Sequence, residues 1–215
     1  KNGEKVFYTN DQKHASHILE IYQQKEIPVI CTNSPLDSYL INYLENKISP
    51  ATFQRIDSEM HDHILDKTRE KSIVDEKGQT EATKLAELIK EKLAKEGVEV
   101  EAKSLAADHL PAVIVIDEKQ RRMRDYFLRM DPSEKNPQMN FFGNKKFIVN
   151  TNNALILGIE KLNAKNPELA KELTLEVYEL ALLSQREMDP QSLNEFISRS
   201  NKILQELTQE AVKSL

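Results

Sequence analysis

NPELAKELTLEVYELALLSQREMDPQSLNEFISRSNKILQEL, residues 166–207, reads as two antiparallel helices joined at Met188-Asp189-Pro190. The second helix puts Leu193, Phe196, Ile197, Leu204 and Leu207 on one stripe, at offsets of three, four, eleven and fourteen residues, with Ser200 beside them. The first carries Leu169, Leu173, Val177 and Leu180, and Leu175, Leu182 and Leu183 widen its apolar surface beyond one seam. Two helices this apolar need a cover, and only a short polar tail follows them. The cover must come from the preceding residues or from a second copy of the chain.

Working back from there, residues 1–77 alternate strand and helix. Lys5-Val6-Phe7-Tyr8-Thr9 is a short strand rich in β-formers, followed by a turn at Asn10-Asp11. Asp11 is placed to cap a helix running to Gln24, with His14, Ile18, Ile21 and Tyr22 near its inner face. Pro28-Val29-Ile30-Cys31-Thr32 is an unbroken apolar run of the kind buried in a parallel sheet. Pro35 opens a helix from Leu36 to Asn46, and Phe53 to Asp57 forms a third strand. The β-α-β-α-β order predicts a small αβα three-layer domain around a parallel sheet.

Asp66 to Gln79 is polar and reads as a helical tail plus linker, with a domain boundary near residues 75–80. Beyond it, residues 78–215 form a mixed α+β domain that ends in the helical hairpin, so the chain is α/β in its first part and α+β overall. Thr80 to Lys95 is an amphipathic helix with Leu85, Leu88, Ile89 and Leu93 inward and Gly97 as its stop. Val98 to Ala102 alternates as a half-buried strand, Ala112 to Ile116 is a fully buried one, and Lys146 to Asn150 is a third. Asp117 to Met130 is an arginine-rich helix, Asp131 to Gly143 a loop carrying Met139, Phe141 and Phe142, and Asn152 to Leu162 a helix.

The 215 residues carry a formal charge of −5 with acids and bases interspersed, which gives nucleic-acid binding no support. One cysteine excludes an internal disulfide and fits a reducing compartment. No apolar run reaches membrane-spanning length. The chain begins at Lys1 rather than Met, which reads as a piece of something longer.

No catalytic motif is present. His61-x-His63 with Asp57, Glu59, Asp62 and Asp66 lacks a convergent third or fourth soft ligand and reads as a surface loop. Cys31 with His14 or His17 has the residue types of a nucleophile and base, but a thiol inside an apolar strand is expected to be buried and inert. The five glycines form no phosphate loop. Met123, Phe127 and Met130 share one helical stripe with Tyr126 beside it. That stripe is either an ordinary core stripe or an exposed contact surface, to which methionine and aromatic residues are well suited.

The order of segments resembles the Hsp90 chaperones. The run from Leu110 through Val113-Ile114-Val115-Ile116 into Arg121-Arg122-Met123-Arg124 is similar to the strand and charged helix of that family's C-terminal domain. Lys146-Phe147-Ile148-Val149-Asn150 with Asn153 and Leu155 resembles its strand and turn into a helix, and Ala181-Leu182-Leu183, Asp189-Pro190, Phe196 and Arg199 resemble its closing helices. Val6 to Thr9 and Pro28 to Tyr39 look like the last αβα part of its middle domain.

The resemblance implies a distal middle domain over residues 1–77 and a C-terminal dimerisation domain over 78–215. ATP and magnesium would then belong to a full-length parent, with no cofactor and no metal held by this fragment. It implies a homodimer through Leu169, Leu173, Leu180, Leu193, Phe196, Ile197 and Leu204. It also implies client contacts at Met123, Tyr126, Phe127 and Met130, with a second patch at Ser38, Tyr39 and Asn42. Relatives often carry an acidic residue and a tryptophan in that second patch. The tail from Thr208 is unlike the acidic tail of eukaryotic cytosolic members, so a bacterial-type or organellar, cytoplasmic member is expected. The rival reading is a small α/β nucleotide- or ligand-binding protein with a crevice at Thr9–Asp11 or Thr32–Pro35. A dimerisation module without client contact is the third.

Overall fold

The computed structural model describes residues 5–10, 16–34, 36–48, 50–58, 64–69, 79–120, 122–123, 127, 145–185, 188 and 190–213. The first unit is built from β1 (Lys5–Thr9), α1 (Ser16–Gln24), β2 (Val29–Cys31), α2 (Asp37–Lys47) and β3 (Thr52–Arg55). Its sheet has the order β2-β1-β3, parallel throughout, as the alternation of strand and helix requires. Successive side chains of β1 point to opposite faces. Phe7 packs with Ile18, Ile21 and Tyr22 of α1, its ring 5.0 Å edge-on from that of Tyr22. Tyr8 packs with Ile41 of α2 and with Phe53. Helices on both faces make the expected three layers.

The covering of this sheet is uneven. Ile41 is buried and Leu44 half-buried on α2, so apolar burial fastens the helix by only about 3 kcal/mol. Cys31 was expected to be buried, and here the structure corrects the sequence. β2 is an edge strand, and both Ile30, on the face of Tyr8, and Cys31, on the face of Phe7, are exposed. Asp57, expected in a surface loop, is also buried, held by a bidentate pair with Arg55 at 3.1 and 3.0 Å.

The second unit holds α3 (Glu81–Lys92), β4 (Glu99–Lys103), β5 (Ala112–Ile116), β6 (Lys145–Asn150), α4 (Ala154–Asn163), α5 (Pro167–Ser184) and α6 (Pro190–Lys213). Residues 118–120 and 122–123 are helical after β5. Thr80 caps α3, its hydroxyl accepting from the Thr83 N–H at 3.1 Å, and Gly97 supplies the positive φ of 62° in the turn to β4. The sheet order is β4-β6-β5, with β4 parallel and β5 antiparallel to β6.

β5 explains its own unbroken apolar run. Ala112, Ile114 and Ile116 face α3, α4 and α5, where Leu85, Ile89, Ile156, Ile159 and Val177 complete the main core. Val113 and Val115 face the other way, with Ile148, onto Phe7 and α1 of the first unit. One core therefore spans both units, and Ile64 and Leu105 extend it. The helical tail expected from Asp66 is not formed over residues 66–69. Instead Asp66 donates its N–H to the Ser104 carbonyl at 2.8 Å, and its carboxylate holds Thr68 and Arg69 in a turn. The rest of that segment, 70–78, lies outside the described residues.

The closing hairpin docks through α5. Tyr178 places its ring 5.2 Å edge-on from Phe147, with Ala170, Ala181 and Leu182 buried beside it. At the joint before α4, Asn150 is fully buried and Asn153 caps the helix, its Oδ1 accepting from the N–H groups of Leu155 and Ile156.

Candidate functional site

Among the described residues, two groups of exposed apolar side chains stand out, and each traces to an element whose periodicity exceeds what its neighbours bury. On α6, Phe196 and Ile203 are buried, and Arg199 between them pairs with Glu176 and Glu179 of α5. Ser200 donates to Glu176, and Lys202 reaches Glu172 at 2.7 Å. That stripe is the inner face of the hairpin. Ile197 and Leu204 lie about a quarter turn away at 3.6 residues per turn, and Leu207 falls close to the line of Phe196 and Ile203. Ile197, Leu204 and Leu207 are 48%, 60% and 60% exposed.

The seven residues singled out for assembly thus fall into groups. Leu180, Ile197 and Leu204 are exposed, and Leu183 and Leu207 join them. Leu169, Leu173 and Leu193 are half-buried, Leu173 against the main core. Phe196 is buried within its own chain and serves the hairpin. Sequence placed Phe196 and Ile197 on one stripe because adjacent helical positions are hard to separate by period alone.

The second surface lies where α2 meets the helix after β5. Met123 is 46% exposed and Phe127 half-exposed. Tyr126 and Met130 lie outside the described residues. Tyr39 is 53% exposed on α2, and Ser38 lies on the same helix. Three residues missed by sequence reading extend this patch: Leu36, Leu40 and Tyr43, all exposed. Their signal was present as offsets of four and seven from Leu36, but from period alone it reads as a core stripe. Asn42 turns its side-chain carbonyl to Arg122, 2.7 Å from Nη1.

Arg122 is the hub of this region. Its Nε donates to Glu118 Oε1 at 2.6 Å, Nη1 donates to Glu45 Oε2 at 2.7 Å as well as to Asn42, and Nη2 donates to Glu45 Oε1 at 3.2 Å and to the Phe53 carbonyl at 2.7 Å. Glu118 in turn accepts from the Tyr8 hydroxyl at 2.6 Å and from the Arg55 N–H at 3.0 Å. Burial, and then the Glu118 charge, push the Tyr8 phenol well above its usual range, so it stays a donor.

Burial alone would raise the Glu45 pKa, but the hydrogen bonds from Arg122 and from the Phe53 N–H outweigh it and hold the carboxyl below its ordinary value. A carboxylate with a depressed folded pKa contributes stability in full above its unfolded value, and loses it as pH falls through the folded one. The Glu45–Arg122 link is therefore intact through the ordinary glutamate range near about 4.3 and opens only below it. In Arg122→Gln the Glu45 midpoint should move up, because burial is then opposed by less. Carboxyl-carbon NMR titration reads it, and an unmoved midpoint would contradict the hydrogen-bond assignment.

At residues 32–34 the backbone donors are committed, Thr32 to the Thr9 carbonyl at 2.8 Å. The N–H groups of Asn33 and Ser34 both donate to Asp37 Oδ2, at 2.9 and 2.7 Å. A carboxylate stands where a phosphate crevice would need free amides. Among the described residues, no three His, Cys, Asp or Glu side chains are grouped so as to hold a metal ion. Among those residues no helix is long and apolar enough to cross a membrane.

The order of these elements has a counterpart among known proteins. A family model described as Hsp90 protein matches residues 1–214. The chain belongs to the Hsp90 family. Among its relatives, the chaperone protein HtpG of Bacteroides fragilis is 31% identical over 121 residues, 55% of this chain and 18% of that protein. The chaperone protein HtpG of Porphyromonas gingivalis is 27% identical over 165 residues, 73% of this chain and 23% of that protein. This Hsp90-family chain thus aligns with less than a quarter of either relative.

Proposed function

We propose that this chain supplies the dimer contact, and part of the surface for incompletely folded proteins, in an Hsp90-type chaperone. The observation that carries the reading is the pair of exposed apolar surfaces on a chain of this family. One is the outer face of the hairpin, at Ile197 and Leu204, with Leu180 and Leu183 and with exposed Leu207 nearby on α6. The other is the junction surface of Tyr39, Tyr43 and Met123. Apolar side chains at regular helical spacing, left open by a chain that buries both faces of β5, are suited to contacts outside the protomer.

The work is divided between the two. The hairpin face joins protomers about a two-fold axis, so each exposed residue meets the same surface on its twin. ATPase arms carried by the joined chains would meet at high effective concentration. ATP and Mg2+ belong to that longer chain, and the part described here is non-catalytic. The junction surface binds unfolded segments weakly and broadly, as adaptable methionine and tyrosine side chains allow. The single cysteine supports a cytoplasmic setting.

Met123→Ala combined with Phe127→Ala should leave the dimer intact in sedimentation. Protection of a thermally aggregating protein, followed by light scattering, should fall several-fold. Undiminished protection would sink the client-contact reading and leave a dimerisation module.

A further inference from the structure

The two halves of the junction surface come from different units of the fold. Tyr39 and Tyr43 belong to α2, which is fastened to its sheet mainly by Ile41 and by half-buried Leu44. Met123 belongs to the helix after β5, which is rooted in the main core. Between them lies Arg122, one residue before Met123. Its acceptor Asn42 stands three residues after Tyr39 and one before Tyr43. A guanidinium has five N–H donors, and the five hydrogen bonds of Arg122 use them all. Four of the five end on α2 or β3. A side chain committed this fully to a thinly anchored helix sets where that helix lies.

We propose that Arg122 is a positioning residue: it fixes α2 against the helix of Met123, and so makes two apolar patches one surface for an extended, unfolded chain. The inference rests on the client-contact reading above and adds a requirement to it. Two weak sites held at a fixed span bind a ligand carrying two apolar clusters far more tightly than one carrying a single cluster. If α2 is released, the sites act separately and that advantage disappears. A planar fork reaching three groups of acceptors does this work, which a lysine ammonium cannot do.

The test uses the whole chain and two fluorescein-labelled synthetic peptides. One carries a single Leu/Phe cluster, and the other carries two such clusters joined by a flexible Gly/Ser linker. For the parent chain, anisotropy should show the two-cluster peptide binding more tightly by on the order of 100-fold. In Arg122→Gln this ratio should collapse toward one, with single-cluster binding unchanged. Glu45→Gln cuts the same clamp from the α2 side while leaving an acceptor for the Phe53 N–H. It should give the same result even if the arginine variant folds poorly.

A ratio that survives in both variants overturns the proposal. So does an equal loss for both peptides, which would mean general destabilisation. If the parent binds neither peptide, the client-surface reading itself fails and takes the clamp with it. If the parent binds both equally, the clamp alone falls.

Discussion

Leu204→Glu should convert the proposed dimer to a monomer, with a dissociation constant raised by roughly three to four orders of magnitude. Leu204 is 60% exposed in the protomer, so the change costs little within the fold. In a two-fold interface it is made twice, and burying a leucine in each half is worth about 2–3 kcal/mol. Two such losses come to about 5 kcal/mol, with a tenfold change for every 1.4 kcal/mol. Two new carboxylates buried in such an interface would add a desolvation cost. Ile197→Glu should act in the same direction. Phe196→Ala should behave differently, because its ring is buried in its own chain: it should loosen the hairpin and lower the melting temperature of the monomer as well. Sedimentation across a concentration series separates the two outcomes. If Leu204→Glu sediments as the parent does, the outer face of α6 is not the contact, and the assembly reading must be abandoned.

The second large effect is expected at a residue with no role in binding. Asn150 ends β6 fully buried, and its amide is completely engaged. Its Oδ1 accepts from the N–H groups of Leu105 and Asn152 at 3.1 and 3.0 Å. Its Nδ2 donates to the carbonyls of Ala107 and Leu110, both at 2.9 Å. One side chain thus ties the end of β6 to residues 105–110, the segment that leads into β5. Asn150→Asp keeps the shape but faces two carbonyls with a carboxylate and buries its charge. The cost should be about 4 kcal/mol, or a fall in melting temperature of roughly 8–16 °C. Asn152→Ala offers the contrast. Its Nδ2 bonds to Ser104 Oγ and the Leu105 carbonyl are only part-buried, so about 1 kcal/mol is expected. Calorimetry of the two variants tests the difference. A shift for Asn150→Asp no larger than that for Asn152→Ala would show that the Asn150 network does not hold the joint.

The legible parts of this chain are those governed by neighbours in sequence. β1, α2, α3 and the hairpin helices follow from period, capping and turn residues within a few positions, so their type could be read directly. The parallel sheet of the first unit followed from the strand-helix alternation, since parallel strands need a crossover. The family resemblance was carried by the order of such local signals, and the match over residues 1–214 agrees with it.

What local signals cannot state is which apolar face meets which neighbour. β2 and β5 read alike as continuous apolar runs. Yet β5 is buried on both faces between α3, α4 and α5 on one side and α1 on the other, whereas β2 is an open edge. The stripe of Leu36, Leu40 and Tyr43 has the period of a core helix and remains exposed, because it is Ile41 and Leu44 that α2 turns to the core cluster of its sheet. Arg122 read as one charge among several, and its five acceptors, drawn from positions 42, 45, 53 and 118, come together only when the chain closes. Sequence alone therefore determined the elements, their order and the apolar surplus of the closing hairpin, since each depends on residues a few positions apart. The tertiary structure decided which surplus is spent inside the chain and which is left for another, because burial is a property of contacts between distant segments.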